Sequence, residues 1–468
     1  MLSFLLVRLY TDIMPKAEYG SVTIVLSWMV FFNVILSYGM ETSFFRFYNK
    51  EDNKKSVIET TTISIFWSSV LFLVFALLFR KTLADSAKTD AIYVTFAIWI
   101  LVLDALSIVP FSRLRVEQKP IKFAIIKIGN VIINLALNFF FLLALPNLAN
   151  SYTSSVFNEI YISNFQVGYI FISNLVASLL TLLVFAPNYF NLKWHFDIQL
   201  WKKMMQYGWP ILFAGLAFGI NEHFDKILLG NLLPQNIAKS EVGTYAACYK
   251  LGLFMVLFRT AFTLGIEPFF FSHAKNENAP QTYAAITKYF VIFGSIILLV
   301  VIVFADILKR VLIPNPDYWA AMKVVPLIIL ANFFLGIYTS LSVWYKLIDK
   351  TKIGAYISII GAMVTLVLNY LLIPKYSYMG SAIATLAAYG SMMAISYCFG
   401  QKKYPIPYDK PKIFGYLSVS ILLSGLSFYI PIFRHNYIFG IFAILIFGYF
   451  IYYNEKQILL RILKRNEK

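Results

Sequence analysis

Eleven ionisable residues lie where the chain is otherwise apolar: Arg8, Lys127, Lys226, Lys250, Arg259 and Lys323 among the cations, and Glu41, Asp104, Glu222, Asp225 and Glu267 among the acids. An ionisable side chain at bilayer depth costs ~2.5–3.5 kcal/mol on insertion scales, so it persists where it is paired, wet or functional. Lys127 and Lys323 sit within a turn or two of a helix end and can snorkel to the interface. Glu41 and Glu267 read as partners of nearby loop cations. Arg259 falls about sixteen residues into an apolar run that begins near 242, close to the midplane by the 1.5 Å rise per residue. An arginine there faces either a cavity or a structural ion pair. Lys250, nine residues earlier, falls about 180° away on an ideal helix, so the two share one cavity only if the helix bends. Glu222 and Lys226 have the i,i+4 spacing of a helical ion pair, and Asp225 can join them. Arg8 lies near a helix end, one residue from the counterpart of Lys226 when Pro15 is aligned with Pro234. Asp104 is deep in its run with no local partner, which suits a proton or cation site or the counter-charge to an arginine.

The chemistry open to such cations is the binding of anions. Arginine presents a planar fork of donors that matches phosphate oxygens and stays charged. In a narrow cavity of low effective dielectric that attraction exceeds its value in water. Hydrolytic metal chemistry is not indicated. The four histidines, His195, His223, His273 and His435, form no His-x-x-x-His pair, and Cys248 and Cys398 both sit in apolar segments. The sequence calls for no metal and no cofactor.

The elements that must hold these residues are transmembrane helices. The chain of 468 residues is 59% hydrophobic and 13% charged, about half the charge of an average soluble domain. Apolar runs recur near 1–12, 20–44, 57–79, 91–112, 121–145, 165–187, 206–230, 242–271, 283–305, 320–345, 353–373, 378–399, 412–432 and 436–453, about fourteen helices in an all-α integral membrane protein. The first run is about ten residues, too short to span, and reads as the second half of a helix. One alternating set of loops and the tail 454–468 hold roughly 25 Lys and Arg, the other set roughly 9, so the first set faces the cytoplasm and both termini lie there. The net charge of +17 is therefore read as membrane topology, not as nucleic-acid binding.

The chain also repeats itself. Glu18-Tyr19-Gly20 matches Glu241-Val242-Gly243; Gly39-Met40-Glu41 matches Gly265-Ile266-Glu267; Leu135-Ala136-Leu137-Asn138-Phe139 matches Leu366-Val367-Leu368-Asn369-Tyr370. The offset holds an even number of helices, so the halves insert in the same sense as a parallel repeat. This divides the chain into an N-terminal lobe 1–187, a cytoplasmic linker 188–205, a C-terminal lobe 206–399, an extra helix pair 412–453 and a basic tail.

The run Leu5-Leu6-Val7-Arg8-Leu9-Tyr10-Thr11, then Pro15 and Ala17-Glu18-Tyr19-Gly20, resembles the opening of the polysaccharide biosynthesis and O-antigen lipid flippases of the multidrug/oligosaccharidyl-lipid/polysaccharide exporter superfamily. Leu368-Asn369-Tyr370, Pro374 and Gly380-Ser381-Ala382-Ile383-Ala384-Thr385 are similar to the same family. The resemblance implies two six-helix lobes around a cationic cavity in the bacterial inner membrane. It implies translocation of an undecaprenyl-pyrophosphate-linked oligosaccharide to the periplasmic leaflet, with a polysaccharide polymerase and assembly proteins as partners. It further implies a polyprenyl-tail groove on the last two helices. On that reading Arg259, Lys226, Arg8 and Lys250 bind substrate, and Asp104, Glu222 and Asp225 serve coupling or ion pairing. The rival within transport is a multidrug/cation antiporter of the same superfamily, which would use acidic cavity residues. An integral-membrane glycosyltransferase or polymerase needs an extramembrane sugar site, and the longest loop, 146–165, holds no Lys or Arg and one acid, Glu159.

Overall fold

The computed structural model describes residues 2–151, 156–190, 192–272, 278–348, 350 and 352–466, and they are almost wholly helical. In chain order the helices are α1 (Leu2–Ile13), α2 (Lys16–Ser37), α3 (Met40–Lys50), α4 (Lys54–Leu78), α5 (Arg80–Ser86), α6 (Ala91–Val116) and α7 (Pro120–Phe139). A π-helical turn, Phe140–Ala144, leads to α8 (Leu145–Ser151) and α9 (Val156–Ile160), then α10 (Gln166–Phe190), α11 (Ile198–Leu232) and α12 (Gln235–Tyr249). After a 3-10 turn, Lys250–Gly252, come α13 (Leu253–Ser272), α14 (Ala279–Val303) and α15 (Ala305–Leu312). A 3-10 segment, Pro316–Val324, precedes α16 (Val325–Leu341), α17 (Val343–Leu347), α18 (Lys352–Lys403), α19 (Lys410–Tyr429), α20 (Pro431–Arg434) and α21 (Tyr437–Asn466).

Local chemistry sets these boundaries. Asn53 and Asp197 cap α4 and α11, each accepting main-chain N–H groups that the first turn leaves without partners. Proline opens α7, α14, α16 and α19, where its missing N–H costs nothing. The α2–α3 corner is made by Tyr38 and Gly39, both left-handed, with Gly39 at φ 73°. A side chain at Gly39 would meet the Gly208 carbonyl at 2.4 Å, so this corner lies directly on α11. Ser377, at φ 48° and ψ −134°, breaks α18 into two arms, each long enough to span a bilayer.

Eleven helical stretches among the described residues are long and apolar enough to cross a membrane, α18 counting as one. α11 is longer than most of them, but the polar run Asn221–Lys226 lowers its hydropathy and keeps it out of that set. The apolar content also points outward, as a lipid solvent requires. On α7, Ile121, Ile125, Ile128 and Ile132 form one exposed stripe, the i, i+4, i+7, i+11 face of a helix.

The chain forms two compact units, Met1–Gly243 and Thr244–Lys468, with the boundary inside α12. In the first unit α10 packs on α6 and α7, and α11 packs on α2 and α3. The first turns of α12 cross the first turns of α2 through a reciprocal contact. A Cβ on Gly20 would lie 1.9 Å from the Lys239 carbonyl, and one on Gly243 would lie 2.0 Å from the Lys16 carbonyl. The pairs are related by one offset of 223 positions (239−16 and 243−20), so each helix lays its glycine on the other's carbonyl. Small residues let backbones approach this closely in membranes.

In the second unit α16 packs on α18, and α14 packs on α16 and α19. The last helices are fastened to α14 near both of its ends. Near its start, Lys288 of α14 donates to Glu455 of α21 at 2.6 Å, and Lys412 and Tyr416 of α19 reach the same carboxylate at 3.0 and 2.9 Å. Just past its other end, Asp306 of α15 bonds Lys309, Arg434 at 3.3 Å and His435 at 3.5 Å. Burial alone would raise the Asp306 carboxyl. The hydrogen bonds and charges of Lys309 and Arg434 outweigh it and hold the group below the ordinary carboxylate range. Lys288, counted from sequence among the loop cations, is instead buried inside α14.

Candidate functional site

The first unit holds a polar seam between α6, α7 and α10. Asn130, Asn134 and Asn138 recur every four residues on α7, roughly opposite the isoleucine stripe at 100° per residue. Asn130 donates to Thr181 at 2.9 Å, Asn134 bonds Asn174, and Asn138 donates to the Asn134 carboxamide at 2.8 Å while accepting from the Tyr10 hydroxyl of α1 at 2.8 Å. Thr181 and Asn174 belong to α10, so the seam runs along one helix interface with α1 closing one end.

Asp104 of α6 joins α10 at this level. It is half-buried and accepts from Ser178 at 2.7 Å. The Lys127 ammonium, on the same side of α7 as the three asparagines at 100° per residue, lies 4.3 Å from the Phe111 ring centre. The serine and asparagines were not singled out from sequence, although the four-residue spacing of Asn130, Asn134 and Asn138 in an apolar helix was there to be read. Ser178 carried no such signal, because its role depends on which helix α6 meets.

The second cluster is on α11. The Lys226 ammonium lies 2.8 and 2.9 Å from the two carboxylate oxygens of Asp225 and 3.4 Å from the main-chain carbonyl of Glu222. The pair is buried, with side chains 9% and 2% exposed. The sequence spacing pairs Lys226 with Glu222 and allows Asp225 to join; in the structure Asp225 bonds Lys226 through both carboxylate oxygens. Just beyond, Lys88 donates to the Gly230 and Asn231 carbonyls at 3.0 and 3.1 Å, covering acceptors that the end of α11 leaves open. Arg8 is exposed on α1, and its carbonyl accepts from Thr11 at 3.3 Å. Glu41 pairs with Arg115.

In the second unit, Lys250 and Arg259 are both half-buried. The helical run begins at Gln235, seven residues before the start read from sequence, so counting along it puts Lys250, not Arg259, near its middle. The 3-10 turn at Lys250–Gly252 breaks the regular twist, so the 180° separation of an ideal helix does not hold between them. The Arg259 stem runs along α16 at Gly336, where an added Cβ would be 3.5 Å from Arg259 Cγ and 2.5 Å from Phe290. The side chain of Glu267 lies outside the described residues.

Helices of membrane-spanning length with buried charge pairs, a polar seam and apolar flanks make this a multi-pass integral membrane protein. The family model of polysaccharide biosynthesis proteins matches residues 1–263, more than half of the chain, and the MatE model matches residues 210–371. The chain belongs to the polysaccharide biosynthesis protein family.

Solved structures share the fold. The lipid II flippase MurJ in an inward closed conformation superposes with a TM-score of 0.72 at 14% identity, covering 97% of this chain and 96% of that one. An inward-facing multidrug resistance MATE family transporter gives 0.68 at 11% identity, covering 89% and 96%. A point mutant of the Vibrio cholerae MATE transporter VcmN gives 0.58 at 16%, covering 86% and 92%. No curated protein matches the chain.

Proposed function

We propose that the protein is a flippase that carries a polyprenyl-pyrophosphate-linked oligosaccharide from the cytoplasmic to the periplasmic leaflet of the bacterial inner membrane, for assembly of a surface polysaccharide such as O-antigen. The observation that carries this reading is the match of the polysaccharide biosynthesis family model to residues 1–263. The likeness in fold to a protein described as a lipid II flippase agrees with it.

On this reading the chain crosses the membrane fourteen times: the eleven long stretches, the division of α18 at Ser377, and the shorter α1 and more polar α11. The lobes are 1–187 and 206–399 in parallel repeat, and 412–453 is the extra pair that offers an apolar surface to the polyprenyl tail. Both termini are cytoplasmic. Arg259, Lys226, Arg8 and Lys250 supply positive charge for the pyrophosphate or an acidic sugar. Asp104, with Glu222 and Asp225, supplies the ionisable groups that couple transport to an ion. Alternating access of the two lobes moves the substrate, with a polysaccharide polymerase and assembly proteins acting downstream.

The test is surface glycan display in a flippase-deficient strain, with protein abundance measured alongside. The wild-type chain restores display. Arg259→Ala abolishes it at normal abundance, and Arg259→Lys keeps part of it because charge survives while the bidentate fork is lost. Normal display by a well-expressed Arg259→Ala variant removes Arg259 from the mechanism.

A second reading, a multidrug/cation antiporter, is favoured by the MatE match to residues 210–371 and by the carboxylate of Asp104 at membrane depth. Drug resistance conferred without restored glycan display would support it.

A further inference from the structure

The first unit carries a surface groove to which the proposed function assigns no role. A groove of about 670 Å³ lies between the α2–α3 corner, α4 and α11, with Tyr38, Trp67, Phe196, Trp201, Met205 and Trp209 among its walls. Trp67 is 61% exposed and Trp209 49%, although both are large rings on membrane-length helices. Four of the groove's polar side chains, Tyr38, Ser64, Ser68 and Trp201, bond one another. Ser64 is 2.7 Å from the Tyr38 hydroxyl and accepts from the Trp201 indole at 2.8 Å. What the groove offers an occupant is therefore ring faces and methyls, which suits a hydrocarbon chain better than a sugar.

Two observations identify the occupant. The first is length. Along α11 the groove runs from Trp201 to Leu212, eleven positions (212−201) or about 17 Å at 1.5 Å per residue. That is close to half of the ~30 Å hydrocarbon core, the depth of one leaflet. Its Trp201 end adjoins the non-helical segment 192–197, whose open main-chain groups belong at the headgroup level.

The second is charge. On α11 and the segment before it, the same end carries Lys193, Lys202 and Lys203 against one acid, Asp197, whose carboxylate is engaged by the Gln199 and Leu200 N–H groups at 2.9 and 3.0 Å. α4 adds Glu59, next to Thr60, which accepts from the Asp197 N–H, so the cations outnumber the acids three to two. Lys202 falls on the stripe of Met205 and Trp209, about 20° from Trp209 at 100° per residue. Lys203 falls well off that stripe. An apolar slot one leaflet deep with a lysine at its headgroup end matches a phospholipid of negative charge.

We propose that this groove binds one anionic phospholipid, with an acyl chain along Trp67, Met205 and Trp209 and the phosphate at Lys202. The lipid fills the cleft between α4 and α11 and seals it within one leaflet.

The experiment uses the full chain in phosphatidylcholine nanodiscs, where tryptophan fluorescence is followed as brominated phosphatidylglycerol or brominated phosphatidylcholine is titrated in. Bound lipid in the groove gives a saturable quenching component at low phosphatidylglycerol fraction. Its half-point lies about fivefold below that for phosphatidylcholine, the effect of one lysine on one anionic headgroup. Trp67→Phe combined with Trp209→Phe removes that component, Lys202→Gln shifts it about fivefold, and Lys203→Gln leaves it in place. Quenching proportional to lipid fraction and equal for both lipids overturns the proposal, as does an equal shift from Lys203→Gln. Displacement of the brominated lipid by an equimolar polyprenyl phosphate also overturns it, assigning the groove to an isoprenoid chain.

Discussion

The Leu-x-Leu-Asn-aromatic pattern occurs at 135–139 on α7 and again at 366–370 on the first arm of α18, and the two copies solve one packing problem differently. Asn138 and Asn369 are both fully buried. On α7 the residues one and two turns earlier are Asn134 and Asn130, and all three asparagines bond across helix interfaces or along the seam. On α18 the residues at the same offset of 231 (365−134 and 361−130) are Thr365 and Gly361, and Asn369 donates to the Thr365 carbonyl of its own helix at 2.7 Å. The second copy carries smaller side chains at these two turns, which lets a helix approach its neighbours more closely. Interhelical hydrogen bonds in membranes average only ~0.6 kcal/mol, whereas a carboxylate at depth costs ~2.5–3.5 kcal/mol. At that size the hydrogen bonds of the seam add little stability, and a transport role for Asp104 belongs to the proposed function.

The largest expected effect lies outside the seam and sets its scale. Lys226→Met takes the lysine from the buried Asp225 carboxylate and should cost about 3–5 kcal/mol, seen as a sharp fall in membrane abundance. Pairing it with Asp225→Asn should recover most of the abundance, because no buried carboxylate then remains at that position. If the double variant is as poorly made as the single one, the pair is not what holds α11.

Gly20→Ala comes next. Its Cβ would fall 1.9 Å from the Lys239 carbonyl, so α2 and α12 must separate, at about 1–3 kcal/mol for overpacking. Gly129→Ala on α7 meets nothing within 4 Å and should change melting by less than about 0.5 kcal/mol. Equal melting shifts for the two would mean the reciprocal glycine crossing carries no weight.

The comparison of the two asparagine sites is sharpened by Asp104→Asn and Asn134→Leu. Asp104→Asn keeps an acceptor for Ser178 but loses the charge. Transport should drop about tenfold, a typical coupling energy, with abundance unchanged. Asn134→Leu should cost about 0.6–1.7 kcal/mol. If Asp104→Asn instead lowers abundance and leaves transport per molecule intact, the seam is structural after all.

The smallest effect is with pH. Because the Asp306 carboxyl is held low in the folded protein, the stability it supplies is fully present above the unfolded value of about 3.9 and is lost only as pH falls through its lower folded value. Lys309, Arg434 and His435 are the charged or ionisable groups bonded to it. Backbone amide protection at 430–436, corrected for intrinsic rates, should thus be flat with respect to this carboxyl from pH 8 to 5 and fall under strongly acidic conditions. A fall centred near neutral pH would assign the clasp to another group.

Much of the fold was legible because lipid imposes length and apolarity on each crossing, and the ends of the runs at 57–79, 91–112 and 165–187 lie within about four residues of those of α4, α6 and α10. What hydropathy could not show is where a helix continues through polar residues. α12 starts at Gln235 because Gln235-Asn236-Ile237 is helical without being apolar, and that moves the centre of the run from Arg259 towards Lys250. Lys288 was counted with the loops because a lysine in an apolar run reads as an edge, and its partner Glu455 lies 167 residues away. The Asp225–Lys226 contact was within reach of local spacing. The Asp104–Ser178 contact was not, since it depends on which helices become neighbours.

The most direct measurement is made on the purified chain in liposomes loaded on one side with a fluorescent polyprenyl-pyrophosphate oligosaccharide, with its arrival in the other leaflet read by a membrane-impermeant quencher. The flippase account predicts protein-dependent movement that is lost in Arg259→Ala and reduced about tenfold in Asp104→Asn, while Thr365→Val moves lipid at the wild-type rate. Liposomes in which the lipid-linked glycan stays put, while a cationic dye is exchanged against a proton or sodium gradient, would contradict it and identify the chain as a cation antiporter.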